Sequence, residues 1–308
     1  MSAAGTWAAG AMWAAGILLS SGCASAPAPL VHVGRDDPGA PIPGLVMCGA
    51  VRAELRLDPA RPLVLFVPGR GEPGERYAAL SYRFEIEGKQ TACFAYDDRD
   101  GLDDGAARLT QALAGLQARM PPGRITILGH SLGGLVARRA LVAERAQPLR
   151  PGGFTYTLVT VAAPFGGVRS AADCGRTWLH VLTLGASAAV CGIVAGDAWQ
   201  EIPPGSGFMR KPGTLIPEVT EAIGVVTLES GACRRRALRG GCDEPDVVFS
   251  LREQRNDVVE ADPRWTRVQV SAGHAEIIGD PGRPPEKLIS ILQERGILQP
   301  PPPELARP

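Results

Sequence analysis

Apolar residues enter this chain in short continuous runs, and the stretches between several of them carry helical spacing. Leu63-Val64-Leu65-Phe66-Val67 is apolar throughout and of strand length, the pattern of a strand covered on both faces. It stops at a glycine-rich loop, Pro68-Gly69-Arg70-Gly71-Glu72-Pro73-Gly74. Thr91 to Tyr96 predicts a second strand, ended by Asp97-Asp98. Leu109, Leu113, Leu116 and Met120 recur at helical intervals until Pro121-Pro122 closes the helix. Ile125 to Leu128 is the next strand, and Leu132, Leu135, Val136 and Ala140 give the segment after it an apolar helical face. Thr155 to Val161 is again a strand, leading into Ala162-Ala163-Pro164-Phe165-Gly166-Gly167. Val247 to Leu251 and Arg267 to Ser271 predict the last two strands. Pro285, then Leu288, Ile291 and Leu292, with Gly296 beyond, mark a closing helix with start and stop signals. Leu45 to Leu57 is expected to hold the first strands. Alternating strand and helix predicts an α/β fold, a mostly parallel, doubly wound sheet with helices on both faces.

The rhythm breaks between Gly167 and Asp246. About 80 residues pass there without a clear strand-helix-strand unit, too many for a plain connection. Within them Trp178 to Val194 is apolar and helix-length, and is read as a lid, a membrane-facing helix or core. His180 lies inside that run and is read as structural.

The ends read differently from the middle. Trp7 to Leu19 is small or apolar, short for a bilayer span and shaped like the apolar region of a signal peptide. Leu18-Leu19-Ser20-Ser21-Gly22-Cys23 resembles the lipobox of bacterial lipoproteins, which implies that Cys23 is acylated and becomes the mature N-terminus. A cleaved secretory signal at Ala24-Ser25-Ala26 and an uncleaved anchor are the alternatives. The expected organisation is a signal over 1–22, a tether over 23–44, one domain over 45–296 with an insertion at about 168–245, and a disordered proline-rich tail over 297–308. The expected location is the bacterial cell envelope, with the chain lipid-anchored, or else secreted and soluble.

Charge and cysteine content narrow the classes. Lys plus Arg and Asp plus Glu both number 32, so no electrostatic case for nucleic acid exists. Arg234-Arg235-Arg236 is the tight basic cluster and is read as a solvated loop. Seven cysteines become six if Cys23 carries lipid, and an even number in an exported chain suggests disulfides. Cys233 with Cys242, Cys174 with Cys191 and Cys48 with Cys93 is one pairing among the fifteen possible. Without C-x-x-C or paired histidines, metal binding is the weaker reading, and no cofactor is required.

The candidate chemistry sits at Gly129-His130-Ser131-Leu132-Gly133-Gly134, a G-x-S-x-G between a strand and a helix. In that setting Ser131 stands on a sharp, strained turn, and side chains at 129 or 133 would collide with neighbouring backbone. A serine hydroxyl needs a base. His32 lies in the tether, His130 inside the turn, and His180 ahead of the acids considered. His274 follows the last strand, where an open parallel sheet places its site, and is taken as general base and acid. The acid is sought after the preceding strand, and Asp257 is taken there to hold the imidazole tautomer. Glu253, Glu260 and Asp262 compete, and each also reads as a surface charge.

The order Ser131, Asp257, His274 resembles that of the α/β-hydrolase superfamily, and the resemblance runs from about residue 60 to 296. Gly129 to Gly134 resembles a lipase or esterase elbow. Ala163-Pro164-Phe165-Gly166-Gly167 is similar to a Thr-Pro-His-x-Gly stretch of bacterial lipases, and Asn256-Asp257-Val258-Val259 to their Asp-Gly-Val-Val acid loop. Two positions depart: Pro68-Gly69 stands for His-Gly, and Ala-Pro-Phe for Thr-Pro-His. The resemblance implies hydrolysis of carboxylic esters, lipid-like ones included, through an acyl-enzyme. It also implies an oxyanion hole from the backbone N–H groups of Leu132 and Arg70. An acyltransferase and a non-catalytic binding relative are the alternatives on the same fold, which also cleaves thioesters and amides.

Overall fold

The structure is a computed structural model, and it describes residues 41–49, 55–97, 100–173, 198–236 and 241–300. Cys23, Cys174, His180, Cys191, Trp178 to Val194 and residues 301–308 of the tail lie outside the described residues.

A seven-stranded sheet forms the frame: β1 (Leu45–Val46), β2 (Leu63–Val67), β3 (Gln90–Phe94), β4 (Arg124–His130), β5 (Thr155–Val161), β6 (Val219–Thr227) and β9 (Trp265–Val270). Their spatial order is β1-β3-β2-β4-β5-β6-β9. Only β1 runs antiparallel, against β3; the other pairings are parallel. A separate antiparallel ribbon joins β7 (Cys233–Arg236) and β8 (Cys242–Pro245).

Strand alternation divides the core into two layers. Leu63, Leu65 and Val67 face one side with Ile125, Ile127, Tyr156 and Leu158. Helices α2 (Leu102–Arg119) and α3 (Leu132–Ala140) cover them with Leu109, Leu113, Leu116, Leu135 and Val136. Val64 and Phe66 face the other side with Val159, Val161, Ile223 and Val225. There α1 (Ala78–Glu85) and α4 (Glu286–Glu294) supply Leu80, Phe84, Leu288 and Leu292. Burial on both faces is why β2 reads as an unbroken apolar run.

Several sequence expectations are corrected here. The span 168–245, expected as an insertion, contains β6, a sheet strand between β5 and β9. Gly224 interrupts its apolar pattern, and a Cβ there would lie 2.5 Å from the Trp265 ring, so this glycine makes room for β9. Val247 to Leu251 is no strand: the chain is irregular to Ser250, and a helical turn, Leu251–Gln254, follows. The first strands expected over Leu45 to Leu57 reduce, among the described residues, to the two of β1. Arg234 to Arg236 lies in exposed β7 rather than a loop, and Arg234 pairs with Glu244 and Asp246.

Two disulfides follow the expected pairing. Cys48–Cys93 ties the segment after β1 to β3, and Cys233–Cys242 closes the β7–β8 ribbon.

Candidate active site

Strands β4 and β5 end together, with His130 opposite Val161, and β6 runs on from Val225, opposite Val161, to Thr227. The next residues line one edge of the sheet. Ser131 follows β4 and caps α3 with φ 53 and ψ −129. Ala162, after β5, has φ 49. Among the described residues these two are the non-glycine positions with positive φ, so strain is concentrated where the chain leaves adjacent strands. The glycines around Ser131 are required by close approach. A Cβ at Gly129 would lie 2.6 Å from the Gly133 carbonyl oxygen, and one at Gly133 would lie 2.2 Å from that of Val67. Leu132 opens α3, so its N–H has no acceptor within the helix.

His274 stands in the loop after β9 and is buried, as is Ser131. Its Nε2 is 3.1 Å from Ser131 Oγ, and its Nδ1 is 3.0 Å from Glu229 Oε1. Glu229 follows β6 and is 3% exposed. It accepts from four donors: Oε1 from Thr227 Oγ1 (2.9 Å) and His274 Nδ1, and Oε2 from the N–H groups of Phe249 (2.8 Å) and Val248. With Nδ1 donating to Glu229, the Nε2 lone pair is turned toward the serine hydroxyl. The Phe249 ring meets the imidazole edge-on at 5.0 Å.

Asp257 does not join this group. It is exposed and begins a helical turn, Asp257–Glu260, capped by the Asn256 side chain. It lines a surface groove of about 700 Å³ with Gly167, Arg252 and Arg255, to which neither Ser131 nor His274 contributes. The competing carboxylates are engaged elsewhere: Glu253 in a capping box with Ser250, Glu260 with Arg255 and Arg267, and Asp262 with Arg264. The acid is expected after a strand at Val247 to Leu251, which does not form; the sheet neighbour of β9 is β6, and the carboxylate at the imidazole is Glu229, just beyond it. The sequence signal for it was Ile223, Val225, Val226 and Thr227, β-branched but interrupted by Gly224, with Glu229 following. Val247 to Phe249 imitates a strand, but its N–H groups at 248 and 249 donate to Glu229.

The loop that carries His274 is held by Asp246, which accepts from the N–H groups of Ala275 (3.0 Å) and Glu276 (2.9 Å) and from Arg234 (3.1 Å). Burial alone would raise the Asp246 pKa, yet these donors bring it below the ordinary value. Gly273 is fixed by the same contact, since a Cβ there would lie 2.2 Å from Asp246 Oδ2.

Burial lowers the His274 pKa from its ordinary 6.5, and the bond to Glu229 offsets this only in part. With His274 as the base, the neutral ring would be the active form, and activity would rise as pH climbs through this ionisation. The acid limb of kcat/KM is therefore expected to have its midpoint below 6.5. A pH–rate profile checks this, and a midpoint clearly above 6.5 would contradict it.

A nearly all-parallel sheet covered by helices on both faces, with a strained serine between β4 and α3, is the α/β-hydrolase fold. Residues 84–192 match the family described as "Putative serine esterase (DUF676)". The mature form of the lipase BlEst2 from Bacillus licheniformis is similar in structure, with a TM-score of 0.51 and 17% identity over 78% of this chain and 94% of that one. The propeptide form of the same lipase gives a TM-score of 0.51 and 16% identity, covering 85% of this chain and 53% of that one. No curated protein sequence matches the chain.

Proposed function

We propose that this chain is a serine hydrolase of carboxylic esters, with Ser131 as nucleophile, His274 as base and acid, and Glu229 as the orienting carboxylate. One observation carries the reading: the continuous contact from Ser131 Oγ through both nitrogens of His274 to Glu229. The match to a serine esterase family supports it.

The chemistry follows from the contacts. His274 Nε2 takes the Ser131 proton as Oγ bonds to the ester carbonyl carbon. The carbonyl π pair moves to oxygen, and the negative charge there meets the backbone N–H groups of Leu132 and Arg70. Glu229 stabilises the imidazolium and does not itself take the proton. Collapse breaks the bond to the alkoxy oxygen, which leaves as the alcohol with the proton from Nε2. Water then attacks the acyl-Ser131 ester by the same route and releases the carboxylic acid.

Acyl-chain or lipid-like esters are the proposed substrate class, and the bacterial cell envelope the proposed site of action. The apolar sequence of Trp178 to Val194 and the lipobox-like segment ending at Cys23 support these readings. The disulfides Cys48–Cys93 and Cys233–Cys242 suit an oxidising compartment.

The test is hydrolysis of a p-nitrophenyl ester series, short to long acyl, by the full chain in mild detergent. Turnover is expected, with the chain-length profile separating esterase from lipase behaviour. No turnover of any member by a folded protein would sink the general-esterase reading.

A further inference from the structure

Glu72 and His130 form a buried pair that the hydrolytic steps leave unused. The His130 ring is fully buried between two oxygens. Its Nδ1 lies 2.8 Å from Glu72 Oε1 without the alignment of a hydrogen bond, and its Nε2 is hydrogen-bonded at 3.0 Å to the backbone carbonyl oxygen of His274. A backbone carbonyl only accepts, so Nε2–H donates to the His274 oxygen and ties the ring to the base loop. On the other side, Glu72 Oε2 accepts from the Gly69 N–H (2.8 Å) and from the Tyr77 hydroxyl (2.9 Å). Burial alone would raise the Glu72 pKa. The facing His130 and the donors at Gly69 and Tyr77 outweigh it and bring the value to about 2.

The pair thus touches both halves of the site. Gly69 precedes Arg70 in the oxyanion loop, and His274 carries the base. The loop has little slack, because a Cβ at Gly69 would lie 2.9 Å from Ser131 Cβ and 3.0 Å from Glu72 Oε2. We propose that the Glu72–His130 contact is a positioning device fixing the oxyanion loop and the base loop relative to one another. This rests on reading Ser131 and His274 as nucleophile and base.

The groups that bear on the His274 ring are Glu229 at Nδ1, the His130 ring 4.8 Å away, Glu72 beyond it, and Asp246 under its loop. The His130 ring acts to lower the His274 pKa.

The experiment uses the full chain, with active sites titrated by a fluorophosphonate so that rates are per competent site. Glu72→Gln and His130→Gln are each expected to lower kcat on a p-nitrophenyl ester by about 10- to 100-fold, with KM nearly unchanged. The double variant is expected to lose no more than the worse single one, the mark of a coupled pair. His130→Gln is also expected to move the acid limb of kcat/KM to higher pH. A fall confined to the number of titratable sites, with kcat per site and the acid limb unchanged, would overturn the proposal. Nitrogen-15 NMR of the histidine rings in the unmutated chain gives a reading independent of variant folding. A proton on His130 Nε2, shared with the His274 carbonyl, is expected, and an Nε2 without one overturns the proposal. If the unmutated chain hydrolyses no ester and Ser131 takes no label, the esterase reading fails instead, and the ring spectrum still decides the state of the pair.

Discussion

Ser131→Ala is expected to lower kcat for ester hydrolysis by about a million-fold, while the protein stays folded. The magnitude reflects removal of the atom that bonds to the acyl carbon. What survives is the weak catalysis that backbone donors and substrate binding can give to an attacking water. The fold is expected to tolerate the change for a specific reason. The strain at residue 131 belongs to its backbone, with φ 53, and alanine meets the same penalty as serine. The glycines that admit the turn, at 129 and 133, are untouched. The side chain loses one hydrogen bond, to His274 Nε2, worth about 1 kcal/mol. The measurement is p-nitrophenyl ester turnover beside thermal unfolding. A variant with a near-normal Tm and activity within tenfold of the original would remove Ser131 from the mechanism.

Glu229→Gln is expected to cost about ten-thousand-fold in kcat, whereas Asp257→Asn leaves the rate nearly unchanged. Glu229 holds the imidazole with Nδ1 as donor, which leaves Nε2 free to accept the Ser131 proton. A glutamine amide offers one acceptor and one donor group where four donors now converge. If its NH₂ group faces His274, the ring is driven to the other tautomer, and Nε2–H then points at the serine oxygen. The negative charge that stabilises the imidazolium is lost as well. Asp257 is exposed on a helical turn, and its substitution meets neither His274 nor Ser131. Kinetics on the two variants side by side separates the two carboxylates. A large loss at Asp257 with little at Glu229 would reverse the assignment.

Much of the frame could be read from the chain because the physics there is local. Leu63 to Val67 coincides with β2, unbroken apolar because it is buried on both faces, and Thr155 to Val161 coincides with β5, a β-branched and aromatic run that buries Thr157 and Thr160 as well. The serine was legible because the turn demands small residues at fixed positions around it. His274 was legible because an open parallel sheet places its chemistry after the strand ends. The carboxylate was not. Its strand carries Glu221 and Gly224, which break the apolar pattern, and the glycine's purpose appears only when Trp265 is seen against it. Val247 to Phe249 supplied a false strand in its place. Phe249 packs against His274, and the N–H groups of Val248 and Phe249 donate to Glu229. Asp257 gained its plausibility from Asn256-Asp257-Val258-Val259, whose actual local role is a capped helical turn. His130 and Glu72 were equally hidden, because a pair 58 residues apart leaves no local trace.

The most direct test of the central claim is to treat the full chain with a fluorophosphonate and map the adduct by mass spectrometry. The account predicts a single stoichiometric adduct on Ser131, absent from Ser131→Ala and slowed in Glu229→Gln. No adduct on a folded protein, or one on a different serine, would contradict it.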